Sequence, residues 1–194
     1  VTAPPNVAGT YCQSVGENAI PRRGVYVRIA HSTSRESFVA RVIDGPFFTR
    51  KPGAYYFLEL SSMLVGGKRT AVQNRPVPGA VVTFLTPSEV QGYIGAVGDY
   101  TLGRLVGQKD VEIAIDSSTL NRHIGVFGTT GSGKSNSLQV MAEEASRSSK
   151  SVLIFDIEGE YVSMNEPTDA LKSILAEYNV NPEGVKDLHV YVPA

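Results

Sequence analysis

The chain has 194 residues, 42% of them hydrophobic, 19% charged and 8% aromatic, with a formal net charge of −1. That is the composition of an ordinary globular protein, long enough for one large or two small domains. No apolar run is long enough for a membrane-spanning helix, and the start lacks the apolar core of a signal peptide.

Cys12 is the only cysteine and the three histidines are far apart, which excludes an internal disulfide and a structural zinc site. A lone thiol also favours a reducing, cytoplasmic setting. The near-zero charge conceals a division. Residues 1–110 hold twelve Lys/Arg against seven Asp/Glu, and residues 111–194 hold six against twelve. Two modules are expected, the first mildly suited to a polyanion, although on charge alone a solvated basic surface is the better account of so modest an excess.

Residues 1–20 are rich in Pro, Asn, Gly and Ser without periodicity and read as an N-terminal arm. The chain begins without Met, and its N-terminus is expected to have been trimmed. From Val25 the period becomes two. Val25, Val27 and Ile29, then Phe38, Ala40 and Val42, alternate with other residues across a polar turn at 31–36, which predicts a hairpin. Asp44-Gly45-Pro46 is expected to end its second strand. Further strands are predicted over 54–60, 80–85, 92–94, 102–106 and 111–116, separated by turns at 51–53, 66–67 and 75–79. With no helix read among them, residues 21–116 are expected to form a small β-barrel, whose closure would remove exposed edges.

A domain boundary is placed near 107–119, and residues 117–194 follow a different rhythm. An apolar strand at 124–127 leads into Gly128-Thr129-Thr130-Gly131-Ser132-Gly133-Lys134-Ser135, and a helix is predicted over 136–147 with Leu138, Met141, Ala142 and Ala145 on one face. The eight residues match G-x-x-x-x-G-K-[ST], the phosphate-binding P-loop. Glycines let the backbone close around an anion at a positive helix N-terminus. Lys134 would reach the β- and γ-phosphates of ATP, and the Ser135 hydroxyl would bind Mg²⁺. Two more buried parallel strands are predicted at 152–155 and 188–192, and a second helical stripe at 171–178 is opened by Thr168-Asp169.

At the carboxyl end of the 152–155 run lies Asp156-Ile157-Glu158-Gly159-Glu160-Tyr161. Ligands of open α/β sheets bind at that edge. Asp156 could accept from a Mg²⁺-bound water, and Glu158 or Glu160 could orient the attacking water. The favoured alternative is that these acids end a strand, cap the turn after it and make intersubunit contacts. A P-loop sheet needs about five parallel strands, so residues 117–194 are expected to be the front part of a longer motor domain.

Residues 122–136, ending in Gly128–Ser135 and Asn136, together with Asp156-x-x-Gly159-Glu160-Tyr161, resemble the HerA group of the FtsK–HerA translocases. Asn136 after the P-loop serine and the D-x-x-G-E-Y stretch are the more discriminating marks. The resemblance implies a small barrel, similar to that of rotary ATP synthase subunits, ahead of a RecA-like P-loop α/β core. It adds Asn136 to the nucleotide-binding residues Gly128, Thr129, Thr130, Gly131, Ser132, Gly133, Lys134 and Ser135. It also implies a hexameric ring that moves duplex DNA with ATP, a nuclease partner of the NurA type, and a role in DNA-end resection and repair. The family's Walker B pair and arginine are expected beyond residue 194, leaving these residues by themselves without hydrolysis. Two other readings are an oligomerisation and partner-docking module, and a VirB4-like conjugation ATPase sharing the loop.

Overall fold

A computed structural model describes residues 9–13, 21–48, 53–148 and 150–192. The chain divides into two compact units, residues 1–93 with 105–111, and residues 94–104 with 112–194.

The first unit is built on an antiparallel sheet of six strands, β1 (Gly9–Gln13), β2 (Tyr26–Ala30), β3 (Glu36–Phe48), β4 (Ala54–Val65), β5 (Lys68–Thr70) and β6 (Val81–Phe84). Their order is β1-β4-β3-β2-β6, with β5 also paired to β4. The predicted hairpin is β2–β3, in the register Val27↔Ala40 and Ile29↔Phe38. One face carries the core: Val25, Val27, Ile29, Phe38, Ala40, Val42, Tyr56, Leu58, Leu60 and Met63. Leu58, wholly buried at its centre, gains about 1.5–3 kcal/mol from burial alone.

The expected closed barrel is not found among the described residues. The sheet curls enough that its outer strands β1 and β6 line one cavity of about 900 Å³. No ladder joins those two strands, so the sheet stays open. Curling brings edges near each other, but closure also needs strand shear and register that let the last pair bond.

Several strand limits differ from expectation for identifiable reasons. β3 does not stop at Asp44-Gly45-Pro46 but crosses that stretch, which contains a cis Gly45–Pro46 bond, and pairs again at Phe47↔Tyr55 and Phe48↔Ala54. Two register shifts absorb the irregular residues there, as bulges do. β4 likewise runs past Leu60: Ala40 faces Leu60 while Val39 faces Ser62, leaving Ser61 as the extra residue. The bulge returns Met63 to the core face. Gly66 and Gly67, both at positive φ (57° and 80°), turn β4 into β5 as a two-residue mirror-image turn requires.

Residues 92–94, expected as a strand, end helix α1 (Pro87–Ile94). The start of α1 explains the choice. Thr86 Oγ1 accepts from the Glu89 N–H at 3.3 Å, and Glu89 accepts from the Thr86 N–H at 2.8 Å. This is a reciprocal capping box with proline at the first helical position. α1 covers the sheet face opposite the core. Tyr93 donates its hydroxyl to the buried Ser62 Oγ at 2.9 Å, and Arg28 pairs with Glu89 at 2.9 Å. The predicted N-terminal arm is in part a strand, since Gly9–Gln13 pairs with β4; residues 1–8 and 14–20 lie outside the described residues.

The predicted strands at 102–106 and 111–116 are found as the hairpin β7 (Tyr100–Leu105) and β8 (Gln108–Ile115). The rest of the second unit holds a 3-10 turn (Ser117–Asn121) and helices α2 (Lys134–Arg147) and α3 (Lys172–Glu177). Here α2 contains the predicted helix and begins two residues earlier. α3 starts after Leu171, at φ 55°, rather than at Thr168-Asp169. On α2 only Ala145 of the apolar stripe is buried, and Leu138 stands exposed.

The three apolar runs at 124–127, 152–155 and 188–192 are not paired as strands. Phe127 is 93% exposed and Phe155 88%. A parallel strand draws its ladder wholly from neighbouring strands, and none of the three runs is paired in a ladder with another. The RecA-like parallel sheet expected for residues 117–194 is therefore not formed among the described residues.

Candidate functional site

The loop at Gly128–Ser135 has the geometry its glycines suggest. Gly131 lies at φ 78° and Gly133 at φ 88°, a left-handed region costly to side-chain-bearing residues. A Cβ built at either would meet nothing within 4 Å, so both corners face open space. Ser132 N–H donates to the Thr129 carbonyl at 3.1 Å, closing the turn between them. α2 begins immediately after Gly133, which supplies no side-chain cap. Its first N–H groups, from Lys134, Ser135 and Asn136, are left to an external acceptor at the positive end of the helix dipole.

Lys134 Nζ donates to the Thr129 carbonyl at 2.9 Å. The ammonium is thus held at the loop by a main-chain oxygen rather than by a carboxylate, and no acid must be displaced for it to meet an anion. Among the described residues, no group of three or more His, Cys, Asp or Glu could hold a metal ion. Mg²⁺ would instead depend on the Ser135 hydroxyl and on phosphate oxygens, which suits an ion that keeps much of its water. Lysine, hydroxyl and open N–H groups therefore fit Mg²⁺–ATP.

Asp156 has its carboxylate turned into its own loop. One oxygen accepts from the Glu158 N–H at 3.2 Å and the Gly159 N–H at 2.8 Å, and the other from the Tyr161 N–H at 3.0 Å. The Tyr161 bond, followed by the other main-chain donors of the loop, holds the Asp156 carboxyl below its usual range. The geometry is that of a turn-capping aspartate.

The P-loop and the Asp156–Tyr161 loop are bridged by a residue that sequence reasoning passed over. Gln139, on α2, donates from Nε2 to the main-chain carbonyl of Glu160 at 2.9 Å. Its position four residues after Ser135 was the available signal, because such residues share a helix face.

A left-handed glycine corner feeding an uncapped helix N-terminus, with lysine and serine in the first turn, is the arrangement of a P-loop segment. Residues 100–194 match the family model described as Helicase HerA, central domain. A DNA double-strand break repair helicase HerA from Sulfolobus acidocaldarius is 36% identical over 101 residues, 52% of this chain and 20% of that protein. One of the same name from Sulfurisphaera tokodaii is 40% identical over 95 residues, 49% of this chain and 19% of that protein. A probable helicase from Methanocaldococcus jannaschii is 30% identical over 113 residues, 58% and 22% respectively. Residues 100–194 therefore belong to the HerA-type ATPase/helicase family, as their motifs suggested. The chain spans about a fifth of the length of these relatives.

Proposed function

We propose that this chain forms part of an ATP-dependent duplex-DNA translocase or helicase and supplies its phosphate-binding loop. The observation that carries the reading is the pair of left-handed corners, Gly131 and Gly133, opening onto the uncapped start of α2. ATP is the substrate. Its phosphates would lie against the N–H groups of 131–136, with Lys134 exchanging the Thr129 carbonyl for β- and γ-phosphate oxygens. Ser135 would hold Mg²⁺, whose charge offsets that of the phosphates. Gly128, Thr129, Thr130 and Ser132 shape the loop, and Asn136 completes the first helical turn. DNA as the polymer moved is supported by the names of the Sulfolobus and Sulfurisphaera relatives.

Catalysis divides between the two loops. Lys134 stabilises charge on the transferring group. Glu160 carries a candidate water-orienting carboxylate, on a residue whose main chain is tied to α2. Asp156 holds that loop in shape, and its contribution to water-bridged Mg²⁺ contacts would come through its remaining lone pairs. The same reading includes a hexameric ring, a NurA-like nuclease partner, a role in DNA-end resection and a cytoplasmic location. Among the described residues no helix is long and apolar enough to cross a membrane.

Residues 1–194 alone are expected to bind nucleotide weakly and not to hydrolyse it, since the apolar runs that precede the two loops are not paired as strands among the described residues. The deciding experiment is Lys134→Ala in the natural full-length protein, read as DNA-stimulated ATP turnover. Abolished turnover is expected; turnover at the parental rate would overturn the reading.

A further inference from the structure

Two observations meet at Glu160. The first is the main-chain bond from Gln139, which stands four residues after Ser135 on α2. The second is the set of three N–H groups, from Glu158, Gly159 and Tyr161, gathered by the Asp156 carboxylate around that residue. The Asp156 bonds fix the loop's internal shape. They leave its distance from the phosphate-binding turn undefined. Gln139 supplies that missing restraint, because α2 begins at Lys134 and is rigid over the intervening turn.

We propose that Gln139 is a positioning residue for ATP turnover: its amide N–H, donated to the Glu160 carbonyl, sets the main chain of Glu160, which bears the candidate water-orienting acid, at a fixed reach from the Lys134–Ser135 turn. This inference rests on the ATPase reading above. Gln139 itself touches neither nucleotide nor attacking water. Gln139 is half-buried on α2, and the bond ties the helix whose first turn would hold the phosphates to a loop bearing the candidate water-orienting acid. Any shift of the helix start on nucleotide binding would carry Glu160 along. Without the bond, the loop would keep its shape but not its place.

The chemistry of the amide defines the test. Gln139→Glu keeps the shape but replaces the donor with an ionised acceptor facing a carbonyl oxygen. Gln139→Lys keeps a donor of similar reach. Both are to be made in the natural full-length protein beside Lys134→Ala, with ATP turnover followed in the presence of DNA and nucleotide affinity and thermal midpoint measured separately. The expected result is a fall in kcat of at least ~10-fold for Gln139→Glu, since ångström-scale misplacement is that costly. KM for ATP should stay within ~2-fold, because ground-state phosphate contacts are untouched. Gln139→Lys should recover most of the lost kcat.

Parental kcat in Gln139→Glu would overturn the proposal. So would a raised KM at unchanged kcat, or a Lys variant as slow as the Glu variant with an unchanged thermal midpoint. If Gln139→Glu fails to fold, Gln139→Met, of similar length but without the donor, takes its place: a kcat loss of at least ~10-fold in a folded protein supports the restraint, and parental kcat refutes it. Turnover surviving in Lys134→Ala would instead refute the ATPase reading itself, so the two failures are distinguishable.

Discussion

Lys134 Nζ donates to the carbonyl of Thr129 at 2.9 Å, so the P-loop lysine closes on the loop that carries it. The bond is exposed, and an exposed bond adds little to stability. Lys134→Ala should therefore melt within about 0.5 kcal/mol of the parent, as surface substitutions do. Its affinity for Mg²⁺–ATP should fall roughly 10- to 100-fold, the worth of a charge-assisted hydrogen bond. Calorimetric titration with nucleotide, paired with thermal melts, separates the two. Unchanged affinity would show that the lysine never leaves Thr129.

Gly133 presents the opposite case, with a backbone requirement and no steric one. At φ 88° with no atom within 4 Å of an added Cβ, Gly133→Ala meets only the conformational penalty of the left-handed region, about 1–2 kcal/mol. The expected signature is fraying of the first turn of α2 together with weaker nucleotide binding. Amide exchange at Ser137, whose N–H donates to the Gly133 carbonyl at 2.9 Å, measures it. Protection equal to the parent's would mean that this corner is not needed in its present form.

In α1 the reciprocal bonds between Thr86 and Glu89 fix the start of a helix that covers the sheet. Thr86→Ala removes one half of that box and should destabilise the protein by about 1 kcal/mol. Thr86→Ser should be close to neutral. Urea midpoints at constant slope provide the comparison, and equal midpoints for Ala and Ser would discount the cap.

What was legible followed from local chemistry. The period-two runs of Val25–Ile29 and Phe38–Val42 found each other because their turn and core face agree in register. Gly131, Gly133 and Lys134 announced a loop whose backbone adopts the required corners. α1 was overlooked although Thr86-Pro87-Ser88-Glu89 spells out a helix start; apolar Tyr93-Ile94 beside Gly92 resembles a short strand when read without that cap. Ser61 and Gly45-Pro46 looked like strand ends because a bulge is decided by the partner strand, not by the bulged residues. The runs at 124–127 and 152–155 show the same dependence more strongly. Their apolarity suits a buried parallel strand, yet a ladder is a property of a pair. Gln139 left only its place four residues after Ser135 as a sign, for a related reason: its partner is a main-chain carbonyl, which carries no residue-type signal.

Asp156 leads to a pH dependence of defined sign. Its carboxylate accepts from the N–H groups of Tyr161, Gly159 and Glu158, and these bonds lower its folded pKa below the ordinary value of 3.8. A group depressed on folding contributes its stabilisation fully above the unfolded pKa and loses it as pH falls through the folded one. The 156–161 turn should accordingly be intact at neutral pH and loosen only below pH ~4. Amide chemical shifts of Gly159 and Tyr161, followed from neutral pH into acid, should move together and report a midpoint below that of a free aspartate. Asp156→Asn retains one carbonyl acceptor, so it should keep part of the turn and abolish this titration. Asp156→Ala should release all three amides at every pH. If the Gly159 and Tyr161 amides in the parent titrate at the free-aspartate value, the carboxylate is not bound by its loop. The restraint on Glu160 would then rest on Gln139 alone.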